Sequence, residues 1–149
     1  MTHPPTPKDS LPPVARRRGV VAVIARQAKL LVIQRSRHVR APLAYCFPGG
    51  AIELGEAEPD AVVRELREEL GVAVAPIRPL WRALTPWNVD LSWWLAELHE
   101  QAVVVPNPLE VEQACWLATH EIRALPGLLE SNLQFLDALD AGHFAIDGL

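Results

Sequence analysis

Four glutamates, two glycines and one arginine crowd into a short stretch: Gly49, Gly50, Glu56, Arg64, Glu65, Glu68 and Glu69. Glu65, Glu68 and Glu69 stand at i, i+3 and i+4, so a helix would set three carboxylates side by side. Like charges so placed repel. They are either fully exposed, with Arg64 and Arg67 as partners, or something positive sits among them. The stripe also precedes Gly71, a natural helix stop, where the helix dipole is already negative. A hard divalent cation held through carboxylate oxygens would relieve both problems. Gly49-Gly50 lets the backbone approach an ion or a phosphate and can offer a carbonyl. Divalent cations, carboxylates and a close backbone together suit the binding of an ion or a phosphate group.

The elements that must position these groups are legible in part. Residues 57–70 contain no glycine, and Pro59 falls in the first turn, where proline is tolerated. This is the most secure helix. Val20–Ala25 and Leu30–Ile33 read as two strands of a hairpin around Arg26-Gln27-Ala28-Lys29. Ala44–Phe47 reads as a short strand cut off by Pro48, and Ala51–Leu54 as another extended piece. Val72–Ile77, Trp81–Thr85 and Val89–Leu98 read as three strands, the last two joined at Pro86-Trp87-Asn88. Ala114–Leu117 reads as a strand before Thr119, a candidate helix cap. A final helix is expected to start at Ser131, through a Ser131/Gln134 capping box, and to end near Gly142.

The chain has 149 residues, half of them hydrophobic, which is one small domain with a single core. Residues 1–17 are expected to be a flexible tail, because five prolines fall in the first thirteen residues, and 18–149 a single domain. A net charge of −4 argues against a non-specific nucleic-acid coat. The longest apolar run is too short to cross a bilayer, and no secretory signal pattern opens the chain. Two cysteines make no disulfide framework. The expected compartment is the cytoplasm, with no membrane and no nucleic-acid polymer as partner.

Gly50, Glu56, Arg64-Glu65-Leu66, Glu68-Glu69 and Gly71-Val72 fill all nine defined positions of the 23-residue Nudix box, G-x5-E-x7-R-E-U-x-E-E-x-G-U with U bulky aliphatic. The chain thus resembles the Nudix hydrolases, and Phe47–Val72 looks most like the MutT-type branch. The resemblance implies an α/β/α sandwich with a mixed central β-sheet between helices. It implies Mg2+-dependent cleavage, with Mn2+ as a substitute, of a nucleoside diphosphate linked to a group X. Glu68 and Glu69 would be the main metal ligands, assisted by Glu56 and the Gly49 or Gly50 backbone. Glu65 would bind metal or orient and deprotonate the attacking water. Arg64 would hold the glutamates by ion pairing. Ala57 departs from the pattern, standing where many members carry a capping Ser or Thr; the lost cap is worth about 1 kcal/mol.

Outside the box the resemblance suggests fewer residues. Arg35 is either an exposed strand end or a substrate-contacting arginine. Glu112, slightly ahead of Glu110, is the candidate for a further metal-binding acid from the loop before Trp116. Trp87 could stack on a base or pack the turn. Asn132 could read a base edge or serve the helix start. Trp93 and Trp94 should point to opposite faces, one to the core and the other free to line a nucleotide pocket. Nucleoside triphosphates, oxidised ones included, are the first substrate reading, giving monophosphate and pyrophosphate. ADP-ribose or a nucleotide sugar is the alternative. A non-catalytic nucleotide sensor is the alternative of another class. No signature of the family's CoA or NADH branches is apparent. Members often dimerise, so a homodimer is an open expectation.

Overall fold

The structure, a computed structural model, describes residues 16–149. The expected tail therefore lies outside the described residues up to position 15, and Arg17 already opens the first strand. In chain order the elements are β1 (Arg17–Val23), β2 (Ala25–Arg26), β3 (Lys29–Arg35), β4 (Tyr45–Cys46), β5 (Gly49–Ala51), α1 (Glu58–Leu70), β6 (Val74–Leu84), β7 (Val89–Leu98), β8 (Val111–Leu117), α2 (Thr119–Arg123) and α3 (Glu130–Asp140).

One sheet runs β5-β1-β7-β6 and is mixed: β1 lies parallel to β7, and the other pairings are antiparallel. The second sheet joins β2, β3, β4 and β8, all antiparallel. Alternation along β1 divides the core. Val20 and Ala22 pack with Ala61, Val62, Leu66 and Leu70 of α1. Val21 and Val23 pack on the opposite side with Ile122 of α2 and Phe135 and Leu136 of α3. Helices therefore cover both faces, and the molecule is the expected α/β/α sandwich. Val62, Leu66 and Leu70 are wholly buried. At about 1.5–3 kcal/mol each, they fix the face that α1 turns inward. On the far side Trp93 stacks on Phe135 with ring centroids 5.7 Å apart. Among the described residues no helix is long and apolar enough to cross a membrane.

Four local readings need correction. The first apolar run is not one arm of a hairpin with the second. It breaks at Ile24: β1 joins the mixed sheet, and only β2 turns back on β3. The turn uses Gln27 and Ala28 at φ 51° and 62°, without the glycine or asparagine such a turn usually shows. The extended piece at 51–54 starts earlier, as β5 at Gly49. The two strands expected around Ile77 and Trp81 are one long strand, β6, kept continuous through Pro76 and Pro79 by register shifts against β7. Finally, α3 starts at Glu130 with Leu129 as its N-cap and no side-chain cap bond, so the Ser131/Gln134 capping box does not form. Ser131 is already inside the helix.

Candidate active site

The acidic stripe rides on α1. Ala57 is its N-cap in extended conformation without a side-chain bond, and Gly71 ends it at φ 63°, its N–H donating to the Arg67 carbonyl. The last carbonyls of a helix lack intrahelical donors, and here the segment before β8 supplies them. Val105 N donates to Leu70 O at 2.9 Å, Asn107 N to Glu69 O at 2.8 Å and Asn107 Nδ2 to Glu68 O at 3.3 Å. That segment continues to Glu110, whose carbonyl accepts from Ser36 N at 3.0 Å. Docking to the end of α1 and the end of β3 thus brings a loop acid towards the stripe.

Arg64 organises the box. Its Nε and Nη2 donate to the two carboxylate oxygens of Glu56 at 2.7 and 2.8 Å. Nη1 donates to Glu65 at 2.9 Å and to Glu68 at 3.2 Å, and Nη2 also donates to the Ala51 carbonyl at 2.8 Å. These bonds hold the Glu56 carboxyl far below the usual carboxylate range, at about 2, and push the guanidinium pKa up. Arg64 thus pairs with Glu56, Glu65 and Glu68 at once.

Glu69 differs from its neighbours. It is 6% exposed, and its side chain accepts one bond, from Gly49 N at 2.9 Å. Burial first, then the charge of Glu65, raises its pKa to about 8; Glu110 adds to the rise, while the Gly49 N–H and Arg35 oppose it. Burial also raises Glu65 against the pull of Arg64, with Glu68 and Glu110 adding repulsion. Glu68 is half exposed. The glycines permit this approach: a Cβ on Gly50 would meet the Glu65 carboxyl, and one on Gly49 would meet the Val20 carbonyl.

Of the two loop acids, Glu110 faces the cluster and Glu112 does not. Glu110 Oε2 is buried with no hydrogen-bond partner, while Glu112 pairs with Arg37 at 3.7 Å, 40% exposed. The two stand at i, i+2 and would share one face of a regular strand. A β-bulge separates them: Gln34 pairs with Gln113 and Arg35 with Val111, leaving Glu112 as the extra residue. By geometry, Glu110 and not the slightly preferred Glu112 is the acid turned towards the cluster.

The donor set suits a hard divalent cation. Glu65, Glu69 and Glu110 repel one another, two of them are raised by burial, and one buried carboxylate oxygen lacks any donor. Among the described residues no three acidic, His or Cys side chains stand ready-arranged about one point, and Arg64 binds the Glu65 and Glu68 carboxylates.

Behind the glycines lies a cavity of about 380 Å3, lined by Arg35 and Asn132 together with Gly49 and Gly50. Both of these candidate substrate residues therefore sit beside the box. Asn132 is 4% exposed and already committed: its Oδ1 accepts from Phe47 N at 3.0 Å. Trp87 is 78% exposed in the β6–β7 turn and does not line this cavity. Trp93 is core, as alternation requires. Trp94 takes the other face but does not line the cavity either; its Nε1 donates to Glu58 at 2.9 Å. Sequence reasoning missed Glu58, which also accepts from Arg18 at 3.0 Å and Arg82 at 2.6 Å, tying α1 to β1 and β6. Its partners are distant in sequence, so no local spacing could have revealed it.

The family model of the NUDIX domain matches residues 15–139. The chain belongs to the Nudix family. Among its Nudix relatives, the NAD-capped RNA hydrolase NudC of Stutzerimonas stutzeri (strain A1501) is 34% identical over 110 residues, 72% of this chain and 38% of that protein. The chain thus spans well under half the length of the curated relatives it matches. Among solved structures, a MutT protein from Methanosarcina mazei Go1 superposes with a TM-score of 0.72 at 20% identity, covering 84% of this chain and 93% of that one. An ADP-ribose pyrophosphatase from Streptococcus suis 89-1591 gives 0.64 at 22% identity, covering 83% and 91%. Both likenesses are of fold.

Proposed function

We propose that this Nudix chain is a divalent-metal-dependent hydrolase that cleaves the pyrophosphate bond of a nucleoside diphosphate linked to a group X. The observation that carries the reading is the cluster of buried Glu69 with half-buried Glu65 and Glu110 beside the Gly49-Gly50 backbone. Its charges repel, and a bound divalent cation would satisfy them.

The roles follow from position. Glu69 and Glu110 would hold the metal, Mg2+ by the oxygen character of the donors, with Mn2+ as substitute, leaving Glu65 beside it as the base. Glu68, at the exposed edge, would complete the set, with Glu56 acting through Arg64. When bound, the metal neutralises the diphosphate and acidifies a water. Glu65, raised by burial, accepts the proton of the attacking water. The water oxygen joins one phosphorus, and the bridging P–O bond breaks. Arg64 holds Glu65 and Glu68 at fixed separation and makes no contact with the substrate. Arg35, which lines the cavity and lies near enough to Glu69 to oppose its raised pKa, steadies the diphosphate.

For X, the first reading is a single phosphate, making the substrate a nucleoside triphosphate that yields monophosphate and pyrophosphate. The name of the relatives at 34% identity favours a second, in which the substrate is NAD-capped RNA. A panel of triphosphates, ADP-ribose, nucleotide sugars, NAD and NAD-capped RNA, with Mg2+ and products resolved by chromatography, tests the proposal. Metal-dependent release of a nucleoside monophosphate from one class is expected. Folded protein that cleaves none of them with Mg2+ or Mn2+ would favour the sensor reading instead.

A further inference from the structure

The cavity behind the glycines has a one-sided charge. Arg17, Arg18, Arg35 and Arg40 line it, and no Asp or Glu does, although the whole chain carries 18 acidic against 14 basic side chains. Arg18 is paired with Glu58. Among the described residues Arg17, Arg35 and Arg40 make no ion pair. Arg35 donates through Nε to the Arg40 carbonyl at 2.7 Å, and of this group it is the one whose charge acts on Glu69. It belongs to the diphosphate end.

Arg17 and Arg40 are left over. Val20 of β1 pairs with Gly50, so Arg17, three residues earlier, lies about 10 Å further along the strand at about 3.3 Å per residue. Arg40 comes from the opposite wall, in the loop after β3. The rest of the lining is largely apolar, including Val20, Phe47, Leu91 and Leu129, with Ser131 and Asn132 as its polar members. That lining suits a base and sugar. A nucleotide whose diphosphate lies at Gly50 would extend its nucleoside towards two guanidiniums that make no ion pair among the described residues. Guanidinium forks match phosphate oxygens in geometry and charge. A third phosphate in a linear chain would instead lie on the glutamate side, outside the cavity.

We propose that this cavity is a binding site for a nucleotide bearing one more phosphate on its nucleoside part, gripped by Arg17 and Arg40. The inference rests on the reading that the scissile diphosphate lies at Gly50.

Calorimetric titration of the metal-free protein tests it without requiring turnover. The probes are adenosine 2′,5′-bisphosphate, adenosine 3′,5′-bisphosphate and AMP. One bisphosphate is expected to bind about tenfold more tightly than AMP, and Arg17→Ala and Arg40→Ala should each remove most of that advantage. Both side chains are exposed and unpaired, so thermal melts of the variants should match the parent. Equal affinity for all three probes, or an advantage that survives both substitutions, overturns the subsite. Protein that prefers a bisphosphate yet hydrolyses no substrate in the panel, extended with a 2′-phosphorylated and a 3′-phosphorylated nucleoside diphosphate derivative (NADP and coenzyme A), keeps the subsite and rejects the hydrolase reading. Protein that hydrolyses but does not discriminate does the reverse.

Discussion

Glu69 and Glu110 are the residues on which the proposed chemistry turns. Glu69→Gln keeps the size and the Gly49 bond and removes the charge. It is expected to cost several orders of magnitude in kcat, while the metal-free variant melts higher than the parent at pH 8, because the desolvated carboxylate is gone. Glu110→Gln should cost about 10²-fold or more. Glu112→Gln should stay within about twofold, since an exposed ion pair with Arg37 contributes little. Steady-state kinetics on the three variants separates them; equal losses at 110 and 112 would contradict the bulge argument. Helical spacing places the box glutamates together, and Gly49, Gly50, Glu56 and the match to the Nudix box make them legible as chemistry. The choice between Glu110 and Glu112 was not legible, because i, i+2 spacing assigns both to one face and only the unpaired residue in the β3–β8 ladder breaks the tie.

At the scale of elements, α1 is the part the chain spells out most fully. Apolar periodicity, Pro59 near the start and Gly71 at the end agree with its observed bounds. Its weak point is Ala57, which leaves the helix start without a side-chain cap. Ala57→Ser should therefore stabilise the fold by about 1 kcal/mol, a rise of about 2–4 °C in Tm. A melt that does not move would mean the first-turn N–H groups are already satisfied. The strands were harder to read. Pro76 falls inside one expected strand and Pro79 in the gap before the next, yet β6 runs through both as an edge strand, where proline costs fewer ladder bonds. The division at Ile24 was invisible because β1 and β3 are both apolar, and their sheets are decided by long-range pairing. The Ser131/Gln134 pattern failed because Leu129 packs against the α1-side core and starts the helix earlier.

The whole molecule couples stability to the site. Glu69 is raised from its ordinary 4.5 to about 8, so its contribution to the metal-free fold is fully present below about 4.5 and is lost as pH rises towards 8. A cation that binds the charged form reverses this. The Tm increment given by Mg2+ should thus be small near pH 6 and grow through pH 8, and the metal concentration for half-maximal activity should fall over the same range. A pH-independent increment would contradict the burial of Glu69 as the cause. The sandwich serves this arrangement: α1 brings the acids, β5 the close backbone and the segment before β8 the last carboxylate, from three separate stretches of chain. The most direct measurement is Mg2+-dependent release of nucleoside monophosphate from the substrate panel, run beside metal-dependent melting of the parent and of Glu69→Gln. Release by the parent, with both turnover and the Mg2+-induced Tm shift lost in the variant, is the expected result. Near-normal turnover by Glu69→Gln would contradict the metal site at the centre of the proposed mechanism.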